Sequence, residues 1–157
     1  MYFDRAVQLI LDLEAGYSND PNDPGGETNF GISKRAFPHV DIKNLTREKA
    51  IDLYRRYYWD YVRGDELPWP LALHVFDMAV NQGVQPAITT LQRAAGVQPD
   101  GQLGPVSMAR VRAIPTLELA PMFSAFRALR YMTTKNFDRY GAGWLKRLFR
   151  VSMEGGL

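Results

Sequence analysis

No cysteine occurs among the 157 residues, which excludes disulfides, a thiolate nucleophile and any zinc site with sulfur ligands. Imidazole is nearly as scarce. His39 and His74 are the two histidines and show no metal-ligand spacing, so a zinc-dependent hydrolase has almost no support. A large excess of one charge is also missing: the formal net charge is +2 and the sequence pI is about 8.9. That mild cationic bias suits an anionic polymer and is too weak to argue for nucleic acid. Met1 to Leu13 carries Asp4, Arg5 and Asp12 and contains no long apolar run, an expectation against both a signal peptide and a membrane anchor in that stretch. No repeat, low-complexity segment or strand-rich region is visible.

What is present is a chain with 46% hydrophobic residues, enough for one well-filled core and short for two independent domains. Ala6, Val7, Ile10 and Leu13 recur at helical spacing, and Gly16 marks a stop. The segment Ser18 to Gly26 holds two Asp-Pro steps and a Gly pair, which predicts an ordered loop leading into a small hairpin near Thr28 to Ile32. Thr46 is a good N-cap, and the following helix runs through Tyr54, Tyr58 and Tyr61 until Pro68 and Pro70 break it. A third helix spans about Leu71 to Gly83, a fourth opens at Pro86 and closes at Gly96, and Pro105 starts a short one. Met122, Phe126, Leu129 and Phe137 mark a longer helix, and Trp144, Leu145 and Leu148 a last amphipathic piece. The fold class is mainly α with a little β after the first helix.

Glu14 follows Ile10 by four residues and Val7 by seven, so it shares the apolar face of the first helix. Burying a carboxylate disfavours its ionised form, the property a general acid needs near neutral pH. The competing expectation is a buried glutamate paired with an arginine. Asp20 and Asp23 lie in the Gly- and Pro-rich loop that follows, where either can serve as a second carboxylate, and Thr28 and Asn29 can position a water. A calcium loop competes for the same acids, but proline occupies positions where such a loop needs ligands. The aromatics Tyr54, Tyr57, Tyr58, Trp59 and Tyr61 could stack on sugar rings, although at helical spacing aromatics more often form core.

The run from Leu13 to Ile32, with Glu14-Ala15-Gly16-Tyr17, Asn19-Asp20-Pro21, Asp23-Pro24-Gly25-Gly26, Thr28 and Gly31-Ile32, resembles the signature of the glycoside hydrolase family 108 muramidases of phages and prophages. Ala15 stands where that family usually has glycine. The resemblance implies that Glu14 is the catalytic residue and that Tyr17, in the same motif, touches substrate. Against the broader phage lysozyme pattern the interval from Glu14 fits Asp23, while the next falls one residue short at Thr28. Phe76-Asp77-Met78-Ala79-Val80-Asn81-Gln82-Gly83 resembles a second segment of the family, in which Asn81 either bonds a sugar N-acetyl group or caps its helix. Leu91 to Pro105 is similar to peptidoglycan-binding modules and makes Gln92 a substrate-binding candidate. The alternative is that Asp100-Gly101 and Gly104-Pro105 simply join short helices.

The resemblances imply a lysozyme-like helical fold, with a catalytic region over residues 1–84 and a peptidoglycan-binding-like region over 85–157 packed into one body. They imply hydrolysis of the β-1,4 bond between N-acetylmuramic acid and N-acetylglucosamine, with no cofactor, no metal, no nucleic acid, no stable membrane association and a monomeric state. The enzyme would remain in the host bacterial cytoplasm until released and act at the cell wall. Two other classes stay open: a lytic transglycosylase using Glu14 alone, and a non-catalytic wall-binding module.

Overall fold

A computed structural model describes residues 1–14, 16–19 and 26–157. Among these residues there are seven α-helices and one two-stranded hairpin, the mainly α architecture with a little β after the first helix that the residue pattern predicts.

Helix α1 (Tyr2–Leu13) buries Phe3, Ala6, Val7, Leu9 and Ile10 along one face, and Asp4 in its first turn complements the helix dipole. The helix ends where Glu14 turns to an extended backbone, with its N–H still bonded to the Ile10 carbonyl. The hairpin pairs β1 (Thr28–Asn29) with β2 (Ile32–Ser33), Thr28 opposite Ser33 and Asn29 opposite Ile32. Phe30 and Gly31 between them have φ of 50° and 76°, the positive values that suit a two-residue hairpin turn. Ser18 adds to the ladder through reciprocal 2.8 Å backbone bonds with Thr28.

Helix α2 (Arg47–Tyr54) starts as predicted, with Thr46 Oγ1 accepting the Lys49 N–H. The expected unbroken helix through Tyr61 is not found. The chain widens into a π-turn at Arg55–Trp59. Trp59 sits edge-on to Phe3 and Phe76, and Gly64 packs so closely on its indole that a side chain there would clash.

Helix α3 (Leu71–Gln82) is the central element, with Leu71 to Ala79 all buried. A helix apolar on every side belongs inside a core, and α1, α4, α6 and α7 pack around it. Gly83, at φ 100°, ends α3 and immediately begins α4 (Val84–Ala94). That helix therefore starts two residues earlier than its proline suggested, because the missing N–H of Pro86 is harmless in a first turn. Helix α5 (Pro105–Ala113) opens on its proline as expected. The long helix expected to run to Phe137 divides into α6 (Thr116–Met132) and α7 (Phe137–Gly155). Thr133 and Thr134 both donate their hydroxyls to the Arg130 carbonyl, closing the α6 terminus by side-chain competition with the backbone. One apolar cluster runs from Phe3 to Val151.

Candidate active site

Four elements meet at Glu14. The hairpin turn presses against it: a Cβ on Gly31 would lie 2.6 and 2.8 Å from Glu14 Cγ and Cδ and 2.5 Å from the Tyr54 hydroxyl oxygen. Only glycine combines that closeness with a positive φ. Tyr54, from α2, donates its hydroxyl to the Phe30 carbonyl at 2.8 Å and so pins the turn. Burial, then the charge of Glu14, pushes the Tyr54 phenol well above its usual range, and Tyr58 is raised by the same two causes. Both phenols are therefore donors at any physiological pH.

Helix α7 brings Arg147 from 133 residues away, and its Nη1 donates to Glu14 Oε1 at 2.8 Å. The same guanidinium grips Asp77 of α3 through Nε at 3.0 Å and Nη2 at 2.8 Å. Asp77 is fully buried, and so is Arg127 of α6, whose Nη1 lies 2.7 Å from Asp77 Oδ2. Two carboxylates and two guanidiniums thus alternate as Glu14, Arg147, Asp77 and Arg127. Burial opposes the charge on Asp77, yet the two arginines outweigh it and hold the carboxyl below its usual range. Burial likewise opposes Arg147, and Asp77 and Glu14 together raise its pKa. The Glu14–Arg147 ion pair is the glutamate–arginine pairing that the sequence offered as the competing expectation, but the Glu14 side chain remains 21% exposed, so it is also the solvent-reachable end of the chain of charges.

A groove opens beside this end. One depression of about 320 Å³ is lined by Leu13, Trp144, Lys146, Arg147 and Arg150 among others, and one of about 250 Å³ by Gln82, Arg130 and Tyr131 among others. Asn81 and Trp144 line both, so the two are neighbours across these side chains.

The predicted residues fare differently. Asp20 and Asp23 lie outside the described residues. Thr28 donates its hydroxyl to the Gly26 carbonyl at 3.2 Å, within its own loop. Tyr17 is exposed and donates to Glu27 Oε1 at 2.9 Å, a bond that raises its phenol pKa. Asn29 is turned inward, its amide donating to the Ile42 carbonyl at 3.1 Å and the Leu45 carbonyl at 3.5 Å. It joins the hairpin to the next loop instead of facing a ligand. Asn81 is not a helix cap, because Gly83 ends α3. Its Oδ1 accepts the Tyr131 hydroxyl at 2.6 Å.

Gln92, expected to bind substrate, is placed inside the fold. Its side chain is fully buried, with Nε2 donating to Asp100 Oδ1, the Gln102 carbonyl and Ser107 Oγ, and Oε1 accepting the Gly101 N–H. No surface glycan reaches it, and the Asp100-Gly101 turn is built around it. Of the aromatic group, Tyr54 and Trp59 are core, Tyr58 is half-buried, and Tyr57 and Tyr61 are exposed.

Sequence reasoning missed Arg127, Arg147, Tyr54 as a clamp and the role of Asp77. An acid among the buried apolar residues of α3 is a signal that some cation must meet it. Which arginine does so has no local signature. No helix of the described residues is long and apolar enough to cross a membrane.

The profile of the family described as Glycosyl hydrolase 108 matches residues 7–83. Among solved structures the chain is similar to SagA of Brucella abortus, with 32% identity and a TM-score of 0.90, over 98% of this chain and 93% of that one. Among curated proteins, none matches.

Proposed function

The chain belongs to the glycosyl hydrolase 108 family and is a glycoside hydrolase, and from that premise we propose that it is an N-acetylmuramidase in which Glu14 is the general acid. The substrate is peptidoglycan, cut at the β-1,4 bond between N-acetylmuramic acid and N-acetylglucosamine. The observation that carries this reading is the placement of Glu14. It is the solvent-reachable end of a buried charge network, held by Gly31 and Arg147, and its neighbour Leu13 and partner Arg147 line a groove.

In the proposed cycle Glu14 gives a proton to the departing glycosidic oxygen, and Arg147, bonded to Oε1, stabilises the carboxylate left behind. Asp23 activates water or offsets the oxocarbenium-like charge, with Asp20 the alternative for that part. The Leu91 to Pro105 segment is assigned a packing role, through Gln92. The site of action is the bacterial cell wall, in lysis or secretion driven by a phage or prophage.

Glu14→Gln keeps the size and one acceptor but has no proton to give. It should lower the rate of cell-wall clearing by roughly 10²- to 10⁴-fold with the melting temperature nearly unchanged. Mass spectrometry of the products separates the mechanisms: hydrated reducing ends support hydrolysis, and 1,6-anhydro ends would convert the reading to a transglycosylase. A Glu14→Gln protein that clears walls at the normal rate would falsify the assignment.

A further inference from the structure

The groove beside Glu14 has a one-sided charge. Lys146, Arg147 and Arg150 line one half and Arg130 the other, and among the described residues no acidic side chain lines either. Arg147 is neutralised by Asp77 and Glu14. Among the described residues Arg130, Lys146 and Arg150 take part in no ion pair. Between them stands Trp144, half-buried and stacked on Tyr131 at 5.4 Å and 22°, a fixed apolar wall. Asn81 is exposed and its Oδ1 accepts from the Tyr131 hydroxyl, which leaves its amide N–H groups to donate. In the second depression the Gln82 Nε2 is buried with no partner among the described residues. A groove of cations and amide donors fits a ligand rich in carboxylates and carbonyls.

In peptidoglycan the N-acetylated sugars are neutral and the lactyl group is closed by an amide, so the carboxylates sit on the stem peptide. We infer that the groove running from Leu13 past Trp144 to Arg130 is a subsite for the stem peptide, so that this enzyme selects peptide-substituted over bare glycan. The choice of ligand rests on the muramidase reading, whereas the binding itself does not depend on Glu14 acting as an acid.

The test uses the full chain and a soluble N-acetylmuramyl tripeptide, which contains no glycosidic bond to cleave. Isothermal titration should show saturable binding that weakens with added salt. Lys146→Ala together with Arg150→Ala should weaken it by about five- to tenfold, the scale for losing two exposed charge-assisted contacts, and Arg150→Lys should recover part of the loss. Binding of a neutral chitin oligosaccharide should change less than twofold in the same variants. The inference is overturned if the muramyl peptide does not bind, if the double variant binds it as the wild type does, or if a peptide-free polyanion such as polyphosphate competes as well as the peptide. Wall digestion without peptide binding removes the subsite and leaves the muramidase standing. Arg150-dependent binding by a chain whose Glu14→Gln variant is fully active does the reverse.

Discussion

Replacing Asp77 with asparagine keeps the shape of the side chain and removes the negative charge that sits between two guanidiniums. Arg127, wholly buried, has no other carboxylate partner among the described residues, whereas Arg147 keeps Glu14. Removing one member of a buried pair usually costs about 3–5 kcal/mol, because the remaining charge stays buried and uncompensated. Asparagine still offers one oxygen to the arginines, which places Asp77→Asn near the lower end, at about 3 kcal/mol. Domains of this size are stable by roughly 5–15 kcal/mol, and each kcal/mol moves the midpoint by about 2–4 °C. The melting temperature should therefore fall by roughly 6–12 °C, followed by circular dichroism, with a lower urea midpoint and an unchanged m-value. Because the folded-state pKa of Asp77 is lowered, its contribution is full above the unfolded value of about 4 and fades as the pH drops below it. The gap between the two proteins should close in that acid range. A melting temperature within about 2 °C of wild type at pH 7 would refute the claim that this network holds the helices together. Asp77→Leu combined with Arg127→Met should cost less than the sum of its parts, since no lone charge remains.

Two further outcomes follow from the same site. Gly31→Ala should lower stability by about 1–3 kcal/mol through a strained positive φ and the clash with Glu14 and Tyr54, and should slow wall clearing as the Glu14 carboxyl is displaced; a variant with normal melting and normal rate would show that the turn does not set Glu14. His74 is fully buried, and burial, then Arg127, depresses its pKa from 6.5 to about 4. The unfolded chain takes up that proton first, so stability should fall as the pH drops from about 6.5 to about 4, by up to roughly 3 kcal/mol, and His74→Gln should flatten this limb in pH-dependent urea titrations.

Much of the site's near half was legible because it is local. The spacing of Val7, Ile10 and Glu14 places the carboxylate at the end of α1, and the Asn29-Phe30-Gly31-Ile32 run carries its own turn chemistry. Thr46 announces α2 for the same reason, a side chain that answers a backbone group three residues on. What was not legible depends on partners far along the chain. The π-turn at Arg55–Trp59 follows from seating Trp59 against Phe3 and Phe76, contacts that no local period encodes. The amide of Gln92 reads from sequence as an available polar group, and only packing shows it enclosed by Asp100, Gly101, Gln102 and Ser107.

The charge network also bears on the expected division of the chain after residue 84. Both acids of the network, Glu14 and Asp77, lie before that point, and both arginines, Arg127 and Arg147, lie after it. A segment of residues 1–84 alone would have to bury Asp77 without a counter-charge, at a penalty of several kcal/mol for an ion taken out of water, or fail to pack α3. The remaining segment would carry two arginines with the opposite problem. Neither half closes its charges alone, and the apolar cluster likewise draws on both, from Phe3 of α1 to Val151 of α7. We therefore expect the chain to fold as one unit across the 84/85 division, as the two resemblances packed into one body would require. The residue held to be the acid and the arginine that orients it come from opposite ends of that unit, which couples the geometry at Glu14 to the docking of the last helix.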